Sequence, residues 1–479
     1  MTLRSRPALA GVVAVAAAVS VATGTAFGGS SGSSVMGTGP NSSPVSTIGS
    51  PGVGDPLFPL SGNGGYDVRH YGLILEYDPK TRRLDGRADI TARATQPLTR
   101  FDLDLKGLTV KGVTVNQAKA AFHRDGQELV ITPDRPLRKG ENFRVAITYA
   151  GIPKPLTFGP VRLGWTTTDD GAFVFSQPHG AMTWFPVNDH PKDKASYDFA
   201  ITVPKGSTAV ANGVLGGQKT VHGRTTFRWH QQEPMASYLA TVAVGKFKVQ
   251  QYTTPGGLKV YNAVDPREAA AWPALKKLPS VLDWASRLFG PYPFKSAGAI
   301  VVHSNAFGGL TALETQGRPV YPSSLSPRLM VHESAHQWFG NSVSLTTWKD
   351  IWLNEGFATY VEWLYDEQHG GESAQKTFDR LYATPADNPL WKDPVAAPPR
   401  PKDLFASGVY KRGAMTLHKL RTTVGDDTFF RILRSWVSSH RGGNATTAQF
   451  IRLAECLSHK DLGPLFHTWI NTQGKPPQP

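Results

Sequence analysis

Residues 331–340 read VHESAHQWFG: a histidine, a glutamate directly after it, and a second histidine four positions on from the first. In an α-helix, positions i and i+4 lie one above the other, so His332 and His336 present two imidazoles on one face with Glu333 beside them. Two imidazoles are two of the three protein ligands of an open zinc site, and the adjacent glutamate is placed to reach a metal-bound water. With 14 histidines in 479 residues, chance produces the pattern roughly 0.01 times in such a chain. The surrounding SPRLMVHESAHQWFG predicts a helix capped by Ser326, with Pro327 at its first position and Val331, Ala335 and Trp338 on its buried stripe. Two core histidines on a buried helix are the alternative until a third ligand is found.

Glu355 supplies that ligand, after eighteen intervening residues, inside WLNEGFATY. The segment DIWLNEGFATYVEWLYDEQHGG predicts a second helix capped by Asp350, with Leu353, Phe357, Tyr360 and Leu364 facing inward and Gly370 ending it. Antiparallel helices joined by a loop bring Glu355 to the face that carries the histidines. HESAH followed by NEGFA resembles the gluzincin zinc peptidases, and residues 64 to 476 resemble the aminopeptidase N family, which also contains leukotriene hydrolase. The resemblance rests further on TALET at 311–315, in the place of the family's exopeptidase signature, and on VYKRGA around Tyr410. Weaker matches are SQPHGAMTWFPVNDHPKDKASY, LFGPYPF and FHTWINTQGKP. It implies an α+β multidomain fold, a β-saddle domain followed by a thermolysin-like catalytic domain, and a chain that stops where the family's C-terminal helical domain usually follows.

The composition agrees with that division. Residues 1–26 carry Arg4 and Arg6 and then an apolar, alanine- and valine-rich run ending on small residues, the layout of a cleaved secretory signal. A membrane anchor is the alternative, and no later stretch is long enough to span a bilayer. Residues 27–55 are Gly, Ser and Pro with hardly a large side chain, which predicts a flexible linker. From Tyr66 the period becomes two: YDVRHYGLILEYD puts Tyr71, Leu73, Leu75 and Tyr77 on one face, and similar runs recur, so 56–250 read as an antiparallel sandwich or saddle. Residues 251–479 turn helical, with EAAAWPALKKLPSVLDWASRLFG a helix ending near Gly290, AGAIVVH a strand, and further helices from GVYKRGAMTLHKLR. The formal charge of +14 is spread with no dense basic run, which excludes a nucleic-acid role and leaves loose attraction to an anionic envelope. Cys456, the only cysteine, reads as a small core residue of an amphipathic helix.

The chemistry these residues suit is peptide hydrolysis with one Zn2+ per chain. His332, His336 and Glu355 leave the metal an open position, and Glu333 is the candidate general base. The resemblance implies that Tyr410 donates to the oxyanion and that Glu314 anchors a substrate's free N-terminus, with Gln177 shaping the first side-chain pocket and Ala312 the other unchanged signature residue. Gly308 and Gly309 allow a substrate backbone to approach closely. The expectation is a secreted zinc aminopeptidase acting on peptides with a free N-terminus. Its rivals are a thermolysin-like endopeptidase with an open groove and a non-catalytic peptide-binding protein on the same fold.

Overall fold

The computed structural model of the chain describes residues 47–304, 312–322 and 325–477. The expected signal segment lies outside the described residues. The last part of the expected linker is described and held in place: the Gly49 N–H donates to Arg100 O at 2.9 Å. Buried Asp55 accepts from the N–H groups of Leu57 and Trp348, both at 2.8 Å, and lies 3.1 Å from His190 Nε2. Residues 47–55 therefore depart from the flexible reading, because backbone pairing and one satisfied buried carboxylate order a segment that has few apolar side chains.

Alternation of apolar and polar residues builds an eight-stranded sheet in the order Val214–Val221, Arg224–Ala236, Lys194–Pro204, Tyr66–Asp78, Arg83–Ala94, Asn142–Gly151, Thr109–Val115, Ala118–Lys119. Tyr71, Leu73, Leu75 and Tyr77 all point into the core. Neighbours are antiparallel except Tyr66–Asp78 and Lys194–Pro204, which run parallel. A five-stranded sheet, Thr208–Ala211, Val242–Gly245, Ala172–Phe175, Val161–Thr167 and Leu156–Phe158, adds a second layer. One continuous apolar core runs from these sheets into the helices that follow.

A four-stranded sheet, Lys248–Thr253, Lys259–Val264, Ser296–Val302 and Val320–Pro322, opens the C-terminal half. Its helices are α1 (Trp272–Leu275), α2 (Leu278–Phe289), α3 (Pro327–Ala335), α4 (Trp352–Gln368), α5 (Ala374–Tyr382), α6 (Ser407–Val424), α7 (Asp426–Ser439), α8 (Thr447–Ser458) and α9 (Gly463–Phe466). The single helix expected before Gly290 is broken into a 3-10 turn, α1 and α2. Pro279 has no N–H for the Leu275 carbonyl, so the α-helical ladder cannot continue across that point. Cys456 is exposed, not in the core, because Phe450 and Ala454 carry the buried face of α8 and position 456 is turned about 200° from Ala454.

Ser326 caps α3 as expected, accepting from Leu329 N at 3.1 Å. Asp350 does not cap α4, which starts after Ile351 with no side-chain cap. Its Oδ1 instead accepts from Thr447 Oγ1 at 2.7 Å, tying the start of α4 to that of α8. Helices α4 and α6 cross where Gly356 meets Gly413: a methyl on either glycine would lie 3.0 Å from the other's backbone. Lys194, on the large sheet, donates to the carbonyls of Asn341, Ser342 and Gly443 at 2.9, 3.0 and 3.3 Å. That contact pins the turn after α3 to the N-terminal half.

Candidate active site

The helix geometry that stacks His332 and His336 brings their rings to 4.8 Å between centroids. Glu355, on the first turn of α4, reaches between them: its Oε2 lies 3.5 Å from His332 Nε2 and 3.4 Å from His336 Nε2. The three groups are buried, with ligand atoms all within 4.8 Å of one another. Each imidazole is oriented from behind. His332 Nδ1 is 2.6 Å from Glu362 Oε1 and His336 Nδ1 is 3.2 Å from the Phe339 carbonyl, so the Nδ1–H donates outward and the Nε2 lone pair faces the common centre.

The electrostatics of the cluster express the same preference for a cation. Burial alone would raise Glu355, yet the two histidines hold it at about 2. Burial would lower His332 and His336, but Glu355 and Glu362 push the first well up, while Glu355 and Glu314 push the second to about 8. The donor set, two nitrogens and one carboxylate oxygen with an open side, fits zinc.

Glu314 and Glu333 stand on that open side, and with His336 they form a second group whose ligand atoms lie within 4.8 Å. Burial pushes the Glu333 carboxyl up to about 7, and its Oε2 is buried with no hydrogen-bond partner among the described residues. Glu314 Oε1 accepts from Gln177 Nε2 at 2.8 Å. Its backbone carbonyl is gripped by Asn341 Nδ2 at 2.6 Å and Gln337 Nε2 at 3.3 Å, both from the segment that follows the histidine helix. The Tyr410 ring lies parallel to His332, 6.2 Å between centroids and 22° between planes. Burial, followed by Glu355, Glu314 and Glu333, raises its hydroxyl well above the usual tyrosine range, which keeps it a proton-bearing donor.

A cavity of about 780 Å³ joins these groups, lined by Gln177, Ala312, Glu314, the histidines, Glu333, Glu355 and Tyr410. Gly308 and Gly309 lie outside the described residues. Glu362 and its partners were not singled out by motif. Its Oε2 accepts from Arg328 Nε, and Arg328 Nη1 lies 3.5 Å from Asp366. The available signal was spacing: Glu362 follows Glu355 by seven residues, two helical turns, and so shares its face.

Residues 274–469 match the Peptidase family M1 domain and residues 68–239 the Peptidase M1 N-terminal domain. The M1 zinc metallopeptidase of Deinococcus radiodurans is 32% identical, with a TM-score of 0.80 over 89% of this chain and 98% of that one. The chain belongs to the M1 peptidase family. A two-domain M1 zinc metallopeptidase mutant bound to L-arginine superposes with a TM-score of 0.81 at 31% identity, over 89% of this chain and 99% of the other. Another structure of a mutant holds the substrate Tyr-Ser-Ala. Among curated relatives, Aminopeptidase M1-A of Oryza sativa subsp. japonica is 29% identical over 63% of this M1 peptidase and 37% of its own length. Aminopeptidase 2, mitochondrial, of Saccharomyces cerevisiae is 25% identical over 85% and 46%. The chain thus spans less than half the length of these curated relatives. The fold class expected from sequence, an N-terminal antiparallel β-saddle or sandwich domain followed by a thermolysin-like, mainly helical zinc-peptidase domain, is found as an N-terminal β-rich domain followed by a helical M1 catalytic domain. The parallel pair Tyr66–Asp78 and Lys194–Pro204 is the departure from a purely antiparallel sheet.

Proposed function

We propose that this M1 peptidase is a zinc-dependent aminopeptidase that removes N-terminal residues from peptides, with one Zn2+ held by His332, His336 and Glu355. The observation that carries the reading is Glu314. A buried carboxylate supported by Gln177 stands beside the ligand set, within a residue's length of where a scissile carbonyl would sit. A free α-ammonium satisfies it through a charge-assisted hydrogen bond, whereas a blocked N-terminus leaves it unpaired in a buried site.

Bound zinc would supply Lewis acidity, lowering the pKa of a water and polarising the carbonyl. Glu333, whose Oε2 has no hydrogen-bond partner among the described residues, accepts the water's proton and delivers it to the leaving amine. Tyr410 donates its hydroxyl hydrogen to the oxyanion, a bond made chiefly in the transition state. Glu314 and Gln177 fix the ammonium and so set the register of cleavage.

The relatives crystallised with Tyr-Ser-Ala and with L-arginine support a peptide substrate and an amino-acid product. The test is hydrolysis of aminoacyl anilides with free and with N-acetylated amines by zinc-loaded protein. Cleavage of the free amines alone is expected, and Glu314→Ala should erase the discrimination. Efficient cleavage of acetylated substrates would favour an endopeptidase, and binding without turnover would favour a peptide-binding protein. The basic, apolar segment at residues 1–26 supports export, which cell fractionation of the full chain would check.

A further inference from the structure

Glu314 and Glu333 belong to separate segments, yet one side chain joins their main chains. Gln337, buried in the turn after α3, donates from Nε2 to the Glu333 carbonyl at 3.1 Å and to the Glu314 carbonyl at 3.3 Å. Both N–H bonds of its amide are thereby used. Its Oε1 accepts from Gly317 N at 2.7 Å, in a turn closed by Arg318 N donating to Thr315 O at 3.0 Å. Asn341 adds a second grip. Also buried, it donates from Nδ2 to the Glu314 carbonyl at 2.6 Å, while its Oδ1 has no partner among the described residues. Its own carbonyl accepts from Lys194 Nζ at 2.9 Å.

Burying two amides to hold one carbonyl, with an oxygen of one left unpaired, is costly as a source of stability. The gain points to where the Glu314 main chain is held. In an N-terminal residue a single Cα separates the α-nitrogen from the scissile carbonyl. The carboxylate that takes the ammonium and the one that directs the water therefore have to keep a fixed interval, and a misplacement of about 1 Å can cost about 100-fold in rate. Gln177 steadies the Glu314 carboxylate itself at 2.8 Å. Gln337 and Asn341 fix the main chain from which that carboxylate extends, and Gln337 ties it to the main chain of the base.

Resting on the aminopeptidase reading, we infer that Gln337 and Asn341 are positioning residues for the ammonium anchor: they hold Glu314 in register with Glu333 and so determine the preference for a free N-terminal amine. Neither is among the residues that line the cavity, so each acts through Glu314. The turn that ends the histidine helix thus serves both the metal ligands and the exopeptidase register.

The experiment uses zinc-loaded full chain and two zinc-binding hydroxamates that differ only in the amine, leucine hydroxamate and 4-methylpentanoyl hydroxamate. The ratio of their dissociation constants, measured by calorimetry, reads the ammonium contact at constant metal binding. In the wild type the amine should tighten binding about 10- to 100-fold. Gln337→Met and Asn341→Ala should each cut that ratio about three- to tenfold, with zinc content and the affinity for 4-methylpentanoyl hydroxamate unchanged. Gln337→Glu keeps the acceptor for Gly317 but loses the donors to both carbonyls, and should show the same fall. In a Glu314→Ala background the ratio is already near one, and adding Gln337→Met should alter it no further. A wild-type ratio in the Gln337 and Asn341 variants would overturn the inference. So would equal weakening of both hydroxamates, the mark of a merely structural role, or a further change in the Glu314→Ala background. Equal binding of the two hydroxamates by the wild type would instead overturn the aminopeptidase reading and the inference with it.

Discussion

Replacing Glu362 with Ala should weaken zinc binding without touching a ligand. The carboxylate lies 2.6 Å from His332 Nδ1 with its side chain only 14% exposed, so the bond is short, charge-assisted and largely shielded. A hydrogen bond to a charged group is worth about 1.5–3 kcal/mol, and alanine also leaves a buried Nδ1–H without an acceptor. A loss of about 2 kcal/mol corresponds to roughly 30-fold in zinc affinity, inside the 10–100-fold range usual for partners behind a metal ligand. Glu362→Gln keeps an acceptor but removes the charge, and should lose only about fivefold. Zinc dissociation constants measured by chelator competition, together with kcat at saturating zinc, decide the matter. Affinity within twofold of wild type in the alanine variant would show that His332 is oriented by its helix alone.

Glu333→Ala should retain zinc by metal analysis and lose nearly all turnover; a variant keeping a tenth or more of kcat would need another base. Tyr410→Phe should lower kcat by roughly 10²–10³ with little change in KM, the usual loss for one oxyanion donor, and an unchanged kcat would remove it from that role. Burial, with Asp102 adding to it, pushes the Glu128 carboxyl up to about 7. Because its folded pKa is raised, the stability it contributes is complete below the unfolded value and is lost as pH rises through 7. Glu128→Gln should accordingly leave the thermal midpoint unchanged at pH 4 and raise stability by about 2 kcal/mol at pH 8, and a shift of equal size at both pH values would refute it. Gly356→Ala should cost about 1–3 kcal/mol by overpacking and lower kcat as well, measured by denaturant unfolding and by assay. Wild-type values for both would mean that the helix crossing yields without consequence.

The features legible in the sequence were those with a strict period or spacing. The alternation of Tyr71, Leu73, Leu75 and Tyr77 defined a sheet face, Ser326 and Pro327 marked the start of α3, and the interval from His336 to Glu355 assembled the ligand set. What escaped depended on contacts between distant segments. Asp350 reads as a cap because it precedes a helix, but its Oδ1 accepts from Thr447, remote in sequence. Asp55 sat in a stretch whose composition argued against order, and only its contacts with His190 and Trp348 explain its burial. Glu362 shares a helix face with Glu355, yet nothing in a linear pattern says that His332 needs an acceptor there.

The meeting of Gly356 and Gly413 has a consequence for how this site can change. Glu355 directly precedes one glycine and Tyr410 lies one helical turn before the other, so the spacing between ligand and hydrogen-bond donor is measured by main chain against main chain. No side chain intervenes whose replacement by a slightly larger or smaller one would retune that interval. The site therefore works to a fixed gauge, and variation in what it accepts is left to the other side chains that line the cavity.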